Sequence, residues 1–315
     1  MRVAVLGGTV FVGRGVVDAL VTAGHDVVVV HRGQHEPDDD GFPDVEHVHA
    51  DRADLPKIVA DAVVDCGAVS QADTERVLER VPDVPLVALS SVDVYPALKG
   101  LRAGSVLCDV PIDETTPVRT NRYPYRGVIK GMDEYEKLDC EPLYLERGGV
   151  VLRLPFVTGP FDYQRREEPV LRRVRARRDR MPIGTGNLLA SRVHVADVGA
   201  AVTAVLAKGV EHEVLVLAEH PASTVRQWYE AIIAAAGSTM ELVTVADEAL
   251  PDDLGLSGTF QQHLLVSPAK AMSALGWRPV PWRDAVRASV DWHLAHPPPT
   301  ANDDFSADSA ALDAL

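Results

Sequence analysis

A glycine-containing turn near the start of the chain constrains the fold more than any other feature. It spans residues 6–13, with the sequence LGGTVFVG, and directly follows an apolar run over residues 3–6. Apolar side chains then recur at helical spacing over residues 12–23, and this pattern ends at Gly24. A strand that enters a helix through glycines leaves backbone N–H groups at the helix N-terminus, where a dinucleotide pyrophosphate binds. The turn therefore predicts a dinucleotide site, with a purely structural turn as the alternative.

Short β-branched runs alternate with longer helical patterns over the first 155 residues. We predict strands at residues 3–6, 26–30, 45–49, 62–64, 86–89 and 150–154. Strands and helices that alternate in this way form βαβ units, whose parallel sheet is covered on both faces. The predicted fold class is therefore α/β, with a doubly wound parallel sheet. The acidic run at residues 38–40 is predicted to be a surface loop.

The alternation changes after Pro155, which predicts a second, smaller lobe. Its predicted strands and helices are, in chain order, residues 192–195, 197–206, 214–217 and 224–236. We predict a dinucleotide-binding domain over residues 1–160 and a substrate-binding lobe over 161–296, interleaved with the first and without a second independent core. Three prolines follow His296, and a disordered tail is predicted over 297–315.

Charge, cysteine and histidine patterns exclude several classes of protein. The chain has 31 basic and 46 acidic residues and a net charge of −15, so we expect no nucleic-acid partner. Its three cysteines lie far apart, which excludes a disulfide scaffold and a thiolate zinc site and fits a reducing cytoplasm. The 11 histidines have neither H-x-x-x-H nor H-E-x-x-H spacing, so we predict no metal.

The hydropathy of the sequence favours a soluble, cytoplasmic protein. No apolar run of the sequence reaches the ~20 residues of a membrane span, so we expect no membrane partner. The sequence leaves open whether the chain works as a monomer or as a homodimer.

Motifs at fixed places along the chain extend the evidence of the glycine turn. They are Gly7-Gly8-Thr9-x-Phe11-Val12-Gly13, Asp51-Arg52-x-Asp54, Asp65-Cys66-Gly67-Ala68, Ser90-Ser91-Val92-Asp93-Val94-Tyr95, residues 152–160 (LRLPFVTGP), Arg192-Val193-His194-Val195-x-Asp197-Val198 and Leu275-Gly276-Trp277-x-Pro279. Together they resemble the motifs of extended short-chain dehydrogenases/reductases, in the NAD-dependent epimerase/dehydratase family. The likeness covers nearly the whole chain, to about Trp292. It implies a Rossmann-type sheet, a nicotinamide dinucleotide and an oxidoreductase, epimerase or dehydratase activity.

The resemblance also implies which residues bind the dinucleotide. They are Gly7, Thr9, Phe11, Val12, Gly13, Arg32, Asp51, Arg52, Cys66, Gly67, Lys137 and Pro155. An acidic residue just beyond the second strand would bind the ribose hydroxyls of NAD, but this chain has Arg32 there. A guanidinium suits the 2′-phosphate of NADP, so NADP(H) is favoured and NAD stays open.

The family's chemistry uses a tyrosine, a lysine four residues later and a serine one strand away. Ser91 fits the serine position, although a serine at a strand end also commonly caps the next turn. We assign Lys137, rather than Lys130, to the lysine beside the nicotinamide ribose, because Glu141 follows it by four residues as in the family. On that alignment, Asp133 occupies the tyrosine position.

Two tyrosines are candidates for the missing hydroxyl. Tyr135 is two residues from Lys137, roughly 200° around an ideal helix, so it can act only if the helix is distorted. Tyr125 or Tyr95 could reach the site from a loop. The predicted catalytic residues are therefore Ser91, Asp133, Lys137, Tyr135 and Tyr125, in an atypical active site. A solvated helix with a charge pair is the alternative for residues 133–137.

An arginine-rich window at residues 165–180 borders the substrate in the family. We expect one or two of its arginines to hold a phosphate or carboxylate and the rest to form salt pairs on a solvated helix. The leading hypothesis is an NADP(H)-dependent oxidoreductase acting on a carbonyl or hydroxyl of a small metabolite. The alternatives are a nucleotide-sugar epimerase or dehydratase, and a non-catalytic dinucleotide-sensing or RNA-associated protein.

Overall fold

The computed structural model describes residues 1–37, 41–300 and 302–314, so the loop predicted at 38–40 lies outside the described residues. Its strands are β1 (Arg2–Leu6), β2 (Asp26–His31), β3 (Glu46–His49), β4 (Ala62–Asp65), β5 (Leu86–Ser91), β6 (Val150–Leu154), β7 (Phe156–Thr158), β8 (Arg180–Ile183), β9 (Arg192–His194), β10 (Glu213–Val216) and β11 (Glu241–Thr244). Its helices are α1 (Phe11–Thr22), α2 (Gln71–Arg80), α3 (Ala97–Ala103), α4 (Lys137–Glu146), α5 (Glu168–Arg175), α6 (Val195–Lys208), α7 (Val225–Ala235), α8 (Ala269–Leu275), α9 (Trp282–Ala295) and α10 (Ser306–Asp313). Among these helices, none has the length and apolar character needed to cross a membrane.

A seven-stranded parallel sheet forms the centre of the described structure, in the order β10-β6-β5-β4-β1-β2-β3. The strand order reverses at β1, which lies between β2 and β4. In open α/β sheets, ligands bind in the crevice outside the carboxyl ends of the strands at such a reversal. The predicted doubly wound, Rossmann-type fold is confirmed, and the predicted strands of the first half lie within two residues of the observed ones.

Helices cover both faces of this sheet through apolar side chains at helical spacing. On one face, Val16 and Leu20 of α1 and Val202 of α6 are fully buried against β1. On the other face, Val77 of α2 and Tyr144 of α4 are buried against the alternate side chains of the same strands. Side chains that alternate along a strand point to opposite faces, so β1 contributes to both cores. This arrangement leaves the carboxyl edge of the sheet free for a site.

The second half of the chain forms a lobe that is joined to the sheet. Strand β10 pairs with β6 in the central sheet, so the lobe is interleaved with the first domain. The lobe also has a buried cluster of its own, in which α5, α7 and α9 contribute Leu171, Ile232 and Val290. The expectation of no second core is therefore wrong, because the short helices bury one apolar face against each other. The domain boundaries stay a prediction.

The C-terminal tail contains an ordered helix, although it was predicted to be disordered. Within residues 297–315, helix α10 packs on the lobe, and its Asp308 is fully buried beside the equally buried Arg173. The Arg173 Nη2 donates to Asp308 Oδ1 at 2.7 Å. A buried guanidinium needs carboxylate partners, and the tail supplies one of them. The polar composition of the tail did not reveal this pairing.

Candidate functional site

The glycine turn forms one end of a groove of about 570 Å³ at the carboxyl edge of the sheet. Gly7 has a φ of +83°, a conformation that side chains with a Cβ rarely adopt. A Cβ at Gly13 would lie 2.0 Å from the carbonyl oxygen of Gly7, so no other residue fits without moving the backbone. The backbone of Gly13 therefore packs directly against that of Gly7, and this contact fixes the start of α1 at the groove.

Most of the predicted cofactor residues lie together in this groove. Those that line it are Gly7, Thr9, Arg32, Asp51, Arg52, Cys66 and Gly67. Phe11, Val12 and Gly13 form the first turn of α1, which begins one residue earlier than predicted. The Phe11 ring contacts the ring of Tyr163, with 5.9 Å between centroids, and Tyr163 also lines the groove. Pro155 is buried at the junction of β6 and β7, and no lining residue of the groove comes from that junction among the described residues.

Arg52 has a partner within the protein rather than being free for an adenine. Its guanidinium donates to both carboxylate oxygens of Asp65, and the Tyr144 hydroxyl donates to Asp65 as well. Burial alone would raise the pKa of Asp65, but the adjacent Arg52 charge holds it below its ordinary value. Burial raises the pKa of the neighbouring Cys66 thiol to about 12, so this cysteine stays protonated at neutral pH. These groups form a rigid floor under the groove.

Arg32 lies at the outer end of the groove, in the turn that follows β2. It is exposed, and Gln34 and His35 of the same turn line the groove beside it. This is where the sequence placed the 2′ position of the adenosine ribose. Arg32 thus places a cation at that end of the groove. Among the described lining residues, none from the same turn is acidic.

A second group of predicted residues meets around Asp93, just after β5. The Tyr125 hydroxyl donates to Asp93 Oδ2 at 3.0 Å, and the rings of Tyr125 and Tyr135 are 5.1 Å apart. Tyr135 also interacts with Asp93 and with Ser91. The Ser91 hydroxyl accepts from the Asp93 N–H at 3.1 Å, so Ser91 caps the turn in addition to facing Tyr135.

Tyr135 reaches this cluster because it lies outside the helix. Helix α4 begins at Lys137 and has Glu136 as its N-cap, so Tyr135 belongs to the preceding turn. The geometric objection to Tyr135 assumed a continuous helix and does not apply here. The Lys137 Nζ lies 5.7 Å from the centroid of the Tyr135 ring. It donates to the carbonyl oxygens of Ala68 at 2.5 Å and Leu89 at 3.0 Å.

The electrostatics of the cluster keep both phenols protonated. Burial and the nearby Asp93 carboxylate raise the pKa of Tyr125 and of Tyr135 above the ordinary value. Burial lowers the pKa of Lys137 and raises that of Asp93. Both phenols therefore carry their protons at neutral pH, but the raised pKa makes each a weaker proton donor than a free tyrosine, so donation needs a cation that stabilises the phenolate.

The structure does not bring Asp133 into this cluster. Asp133 is exposed in a loop, where its Oδ1 accepts from the Gly127 N–H at 2.9 Å and its carbonyl accepts from Arg126. Lys130 is exposed in the same loop. The spacing argument placed Asp133 one helical turn before Lys137, but the chain is not helical there. Tyr95 is fully buried and accepts a hydrogen bond from Arg153 at 2.7 Å, away from Asp93.

Asp93 itself had no role in the sequence-based reading, although its motif was recognised. The signal was a carboxylate two residues after Ser91 in an otherwise apolar segment, which predicts burial with a polar partner. The partner could not be found, because Tyr125 lies 32 residues away. Glu141 has a structural role. Its carboxylate accepts a hydrogen bond from the Ser90 hydroxyl at 2.5 Å and pairs with Arg153 at 2.7 Å. It therefore fixes α4 against β5 and β6.

A second cavity, of about 590 Å³, lies against the lobe. Its charged lining residues are Arg165, Arg166, Glu168, Arg172, Arg192 and Asp253. Three of the four arginines pair with carboxylates, Arg166 with Asp162, Arg172 with Asp253 and Arg192 with Glu219, whereas no ion pair of Arg165 is seen among the described residues. The Arg165 Nη1 is buried and has no hydrogen-bond partner among the described residues. Tyr163 lines this cavity and the groove, so the two spaces adjoin.

Four of the eight arginines of the 165–180 window form ion pairs, namely Arg166, Arg172, Arg173 and Arg175. Arg166 pairs with Asp162 at 2.9 Å, and Arg173 pairs with Asp253 and Asp308. Arg175 pairs with Glu168. The arginine-rich segment is thus in part structural, and a small subset of its arginines faces the cavity.

Comparison with known families and structures places these features in context. Residues 3–218 match the family described as the NAD dependent epimerase/dehydratase family. No curated protein sequence matches the chain.

Solved structures share the fold at low sequence identity. A Burkholderia cenocepacia J2315 protein, described provisionally as an epimerase, has a TM-score of 0.71 and 20% identity, covering 93% of this chain and 98% of that one. The dTDP-glucose 4,6-dehydratase of Bacillus anthracis str. Ames, in complex with NAD, has a TM-score of 0.68 and 18% identity, covering 94% and 97%. The UDP-glucose 4-epimerase of Bifidobacterium longum, in complex with NAD+ and UDP, has a TM-score of 0.67 and 18% identity, covering 94% and 99%.

Proposed function

Because the chain belongs to the NAD dependent epimerase/dehydratase family, we propose that it is an oxidoreductase of that type which uses NADP(H) in preference to NAD(H). In this proposal it transfers hydride at a carbonyl or hydroxyl carbon of a small anionic metabolite. Arg32 supports the NADP(H) preference, since an exposed guanidinium at the ribose end of the groove can pair with a 2′-phosphate.

The observation that carries the proposal is that Lys137 connects the tyrosine cluster to the groove. Lys137 donates to the carbonyl of Ala68, and the flanking residues Gly67 and Val69 line the groove. Because the Lys137 Nζ is also 5.7 Å from the centroid of the Tyr135 ring, we assign Tyr135 to the inner end of the groove, where we expect the nicotinamide ring. In this proposal the serine, tyrosine and lysine act together although the tyrosine is displaced from its usual place in the sequence.

A bound reduced dinucleotide supplies hydride to a substrate carbonyl carbon. The protein must then supply a proton to the carbonyl oxygen, and we assign this role to the Tyr135 hydroxyl. The phenol carries its proton at neutral pH, and because its pKa is raised, donation requires a cation that stabilises the phenolate. The Lys137 ammonium, 5.7 Å from the ring, stabilises the phenolate that forms. Ser91 interacts with the same hydroxyl and orients it.

The substrate class follows from the second cavity. A volume of about 590 Å³, with Arg165 beside three ion-paired arginines in its lining, suits a metabolite that carries phosphate or carboxylate groups. The unpartnered Nη1 of Arg165 is one donor for such a group. The same cavity favours a second candidate function, a nucleotide-sugar epimerase or dehydratase, since a sugar nucleotide carries a diphosphate.

The decisive experiment incubates the protein with a panel of ketones, quinones and nucleotide sugars, once with NADPH and once with NADP+ or NAD+, and follows both the dinucleotide and the organic product. A reductase consumes NADPH, whereas an epimerase changes its substrate without net consumption. Tyr135→Phe should lower kcat at least about 100-fold with little change in NADPH affinity. Tyr125→Phe, which removes a hydroxyl from the same Asp93, is the matched control and should retain most activity. NADPH binding without turnover of any substrate would favour the dinucleotide-sensing alternative.

A further inference from the structure

Three histidines and a glutamate converge at the outer edge of the sheet, away from the tyrosine cluster. They are His31 at the end of β2, His47 and His49 on β3, and Glu36 in the turn after β2. One ligand-type atom from each residue lies within 4.8 Å of the others. Neither the glycine turn nor the proposed chemistry requires this arrangement.

The register of the two strands explains why the imidazoles meet. His31 is the direct partner of His49, and His47 precedes His49 by two residues on the same strand. Registered partners and alternate residues of a parallel pair point to one face, so all three rings share a face. The ring centroid of His31 lies 5.0 Å from that of His47 and 4.7 Å from that of His49. Phe42 packs against His47 and shields that side of the cluster.

Glu36 closes the group from the opposite side. Its Oε1 lies 2.7 Å from His49 Nε2, and its Oε2 lies 3.9 Å from both His31 Nε2 and His47 Nδ1. The His31 Nε2 and His47 Nδ1 atoms are 2.8 Å apart. In a tetrahedral zinc site with bonds of about 2.0–2.2 Å, ligand atoms are about 3.3–3.6 Å apart. The observed separations bracket this value, so shifts of less than about 1 Å would bring all four atoms to the geometry.

We propose that His31, Glu36, His47 and His49 form a binding site for Zn²⁺ or a closely similar divalent transition-metal ion. Three imidazole nitrogens and one carboxylate are a zinc-type donor set, whereas Mg²⁺ and Ca²⁺ prefer oxygen ligands throughout. The site is closed by four protein ligands, which is typical of a structural rather than a catalytic metal. It does not depend on the proposed reaction.

Metal binding would break two hydrogen bonds, the 2.8 Å bond between His31 Nε2 and His47 Nδ1 and a weaker one at His31 Nδ1. The His31 Nδ1 accepts a long hydrogen bond of 3.3 Å from the Gly33 N–H. A histidine that binds metal through Nε2 carries its proton on Nδ1, so this weak bond would be lost. The ligand bonds replace both.

The position of the site suggests what the ion would do. Glu36 belongs to the same turn as Arg32 and His35, which line the outer end of the groove. An ion bound between Glu36 and β3 would hold this turn against the sheet and add positive charge beside Arg32. The metal would therefore order the end of the groove that we assign to the adenosine ribose.

The absence of helical spacing led the sequence analysis to predict no metal. The ligand pattern here is instead His-x-His on one strand with a third histidine across from it, and such a pattern is informative only when the strand register is known. The prediction of no metal and this proposal are settled by the same measurement.

The test titrates tag-free protein, previously treated with a chelator, with ZnCl₂ in a calorimeter. We expect one equivalent of Zn²⁺ to bind, and the double variant His47→Gln/His49→Gln to bind at least about tenfold more weakly. His35→Gln, which removes an exposed histidine adjacent to Glu36, is the matched control and should bind as the wild type does. Both changed side chains of the double variant lie on the edge strand, and circular dichroism checks that it remains folded.

A second readout keeps the outcome clear if the double variant is unstable. Co²⁺ bound to four ligands absorbs visible light far more strongly than hexahydrated Co²⁺, so the wild type and His35→Gln should give an intense band. The single variant Glu36→Gln should weaken that band. Wild-type affinity equal to that of the double variant, or a Co²⁺ spectrum of the hydrated ion, would overturn the proposal.

Discussion

The glycine turn and the tyrosine cluster lie at the same edge of the sheet, but backbone atoms form the first and side chains form the second. The turn joins Gly7 and Gly13 by backbone contact within seven residues, and a Cβ at Gly13 would collide with the Gly7 carbonyl. The cluster instead joins side chains from the end of β5, a long loop and the start of α4. A backbone site should fail completely when one carbon is added, whereas a side-chain cluster should lose function by degrees.

The largest effect is expected for Gly13→Ala. The added Cβ would lie 2.0 Å from the Gly7 oxygen, so strand and helix must separate and the pyrophosphate site is lost. We expect NADPH affinity to fall at least about 100-fold, measured by fluorescence titration. Gly255→Ala is the control, because a Cβ there meets open space. Retained NADPH binding in folded Gly13→Ala protein would break the comparison.

Lys137→Met should have the next largest effect. It removes a buried ammonium that bonds to two backbone carbonyls beside the groove, while keeping the volume of the side chain. Turnover or NADPH affinity should fall at least about tenfold, or about 1.4 kcal/mol. Lys130→Met changes an exposed lysine and should have little effect. Equal behaviour of the two variants would remove Lys137 from the site.

A smaller effect is expected for Arg32→Asp, at the exposed end of the groove. The substitution replaces a cation that favours a 2′-phosphate with an anion that repels it. An exposed ion pair contributes up to about 1 kcal/mol, so the preference for NADPH over NADH should fall about fivefold or more. Arg80→Asp, an exposed change on α2, makes the same change in net charge as a control. Equal wild-type affinities for the two dinucleotides would contradict the assignment of Arg32.

The smallest change is expected in the pH dependence of turnover. Burial and the Asp93 carboxylate raise the pKa of Tyr135, so the wild-type phenol keeps its proton into the alkaline range. Asp93→Asn removes the negative charge, which lowers the pKa of Tyr135 and moves the alkaline loss of activity to lower pH. Asp133→Asn, in the exposed loop, should leave the profile unchanged. A shift toward higher pH in Asp93→Asn would show that Tyr135 is not the proton donor.

Local patterns predicted the parts of the molecule that depend on neighbouring residues. The strand at residues 150–154 is observed with the predicted bounds, and the turn before α1 follows from its glycines together with the apolar run before it and the helical pattern after it. Period and propensity act within a few residues, so they can be read along the chain. Lys137 and Glu141, whose four-residue spacing led to the choice of this lysine by resemblance to the family, both lie on the observed helix Lys137–Glu146.

The errors fell where the chain has no periodic pattern. Asp133 was assigned to a helix that begins only at Lys137, and the tail was predicted to be disordered although α10 buries Asp308 against Arg173. In both segments, contacts with distant residues decide the conformation. A polar segment can be ordered when it supplies the partner of a buried charge. The composition of the segment does not reveal that charge, which belongs to a distant residue.

The sequence by itself determined the α/β class, the family resemblance and the place of the dinucleotide turn, because each is encoded in residues close to one another. Only the tertiary structure decided that Tyr125 and Tyr135 share Asp93 and that His31 faces His49 across two strands. Such contacts depend on how separate segments of the chain pack on the sheet. A strand register or a loop path places two side chains within a few ångströms although many residues separate them, and no local pattern specifies that distance.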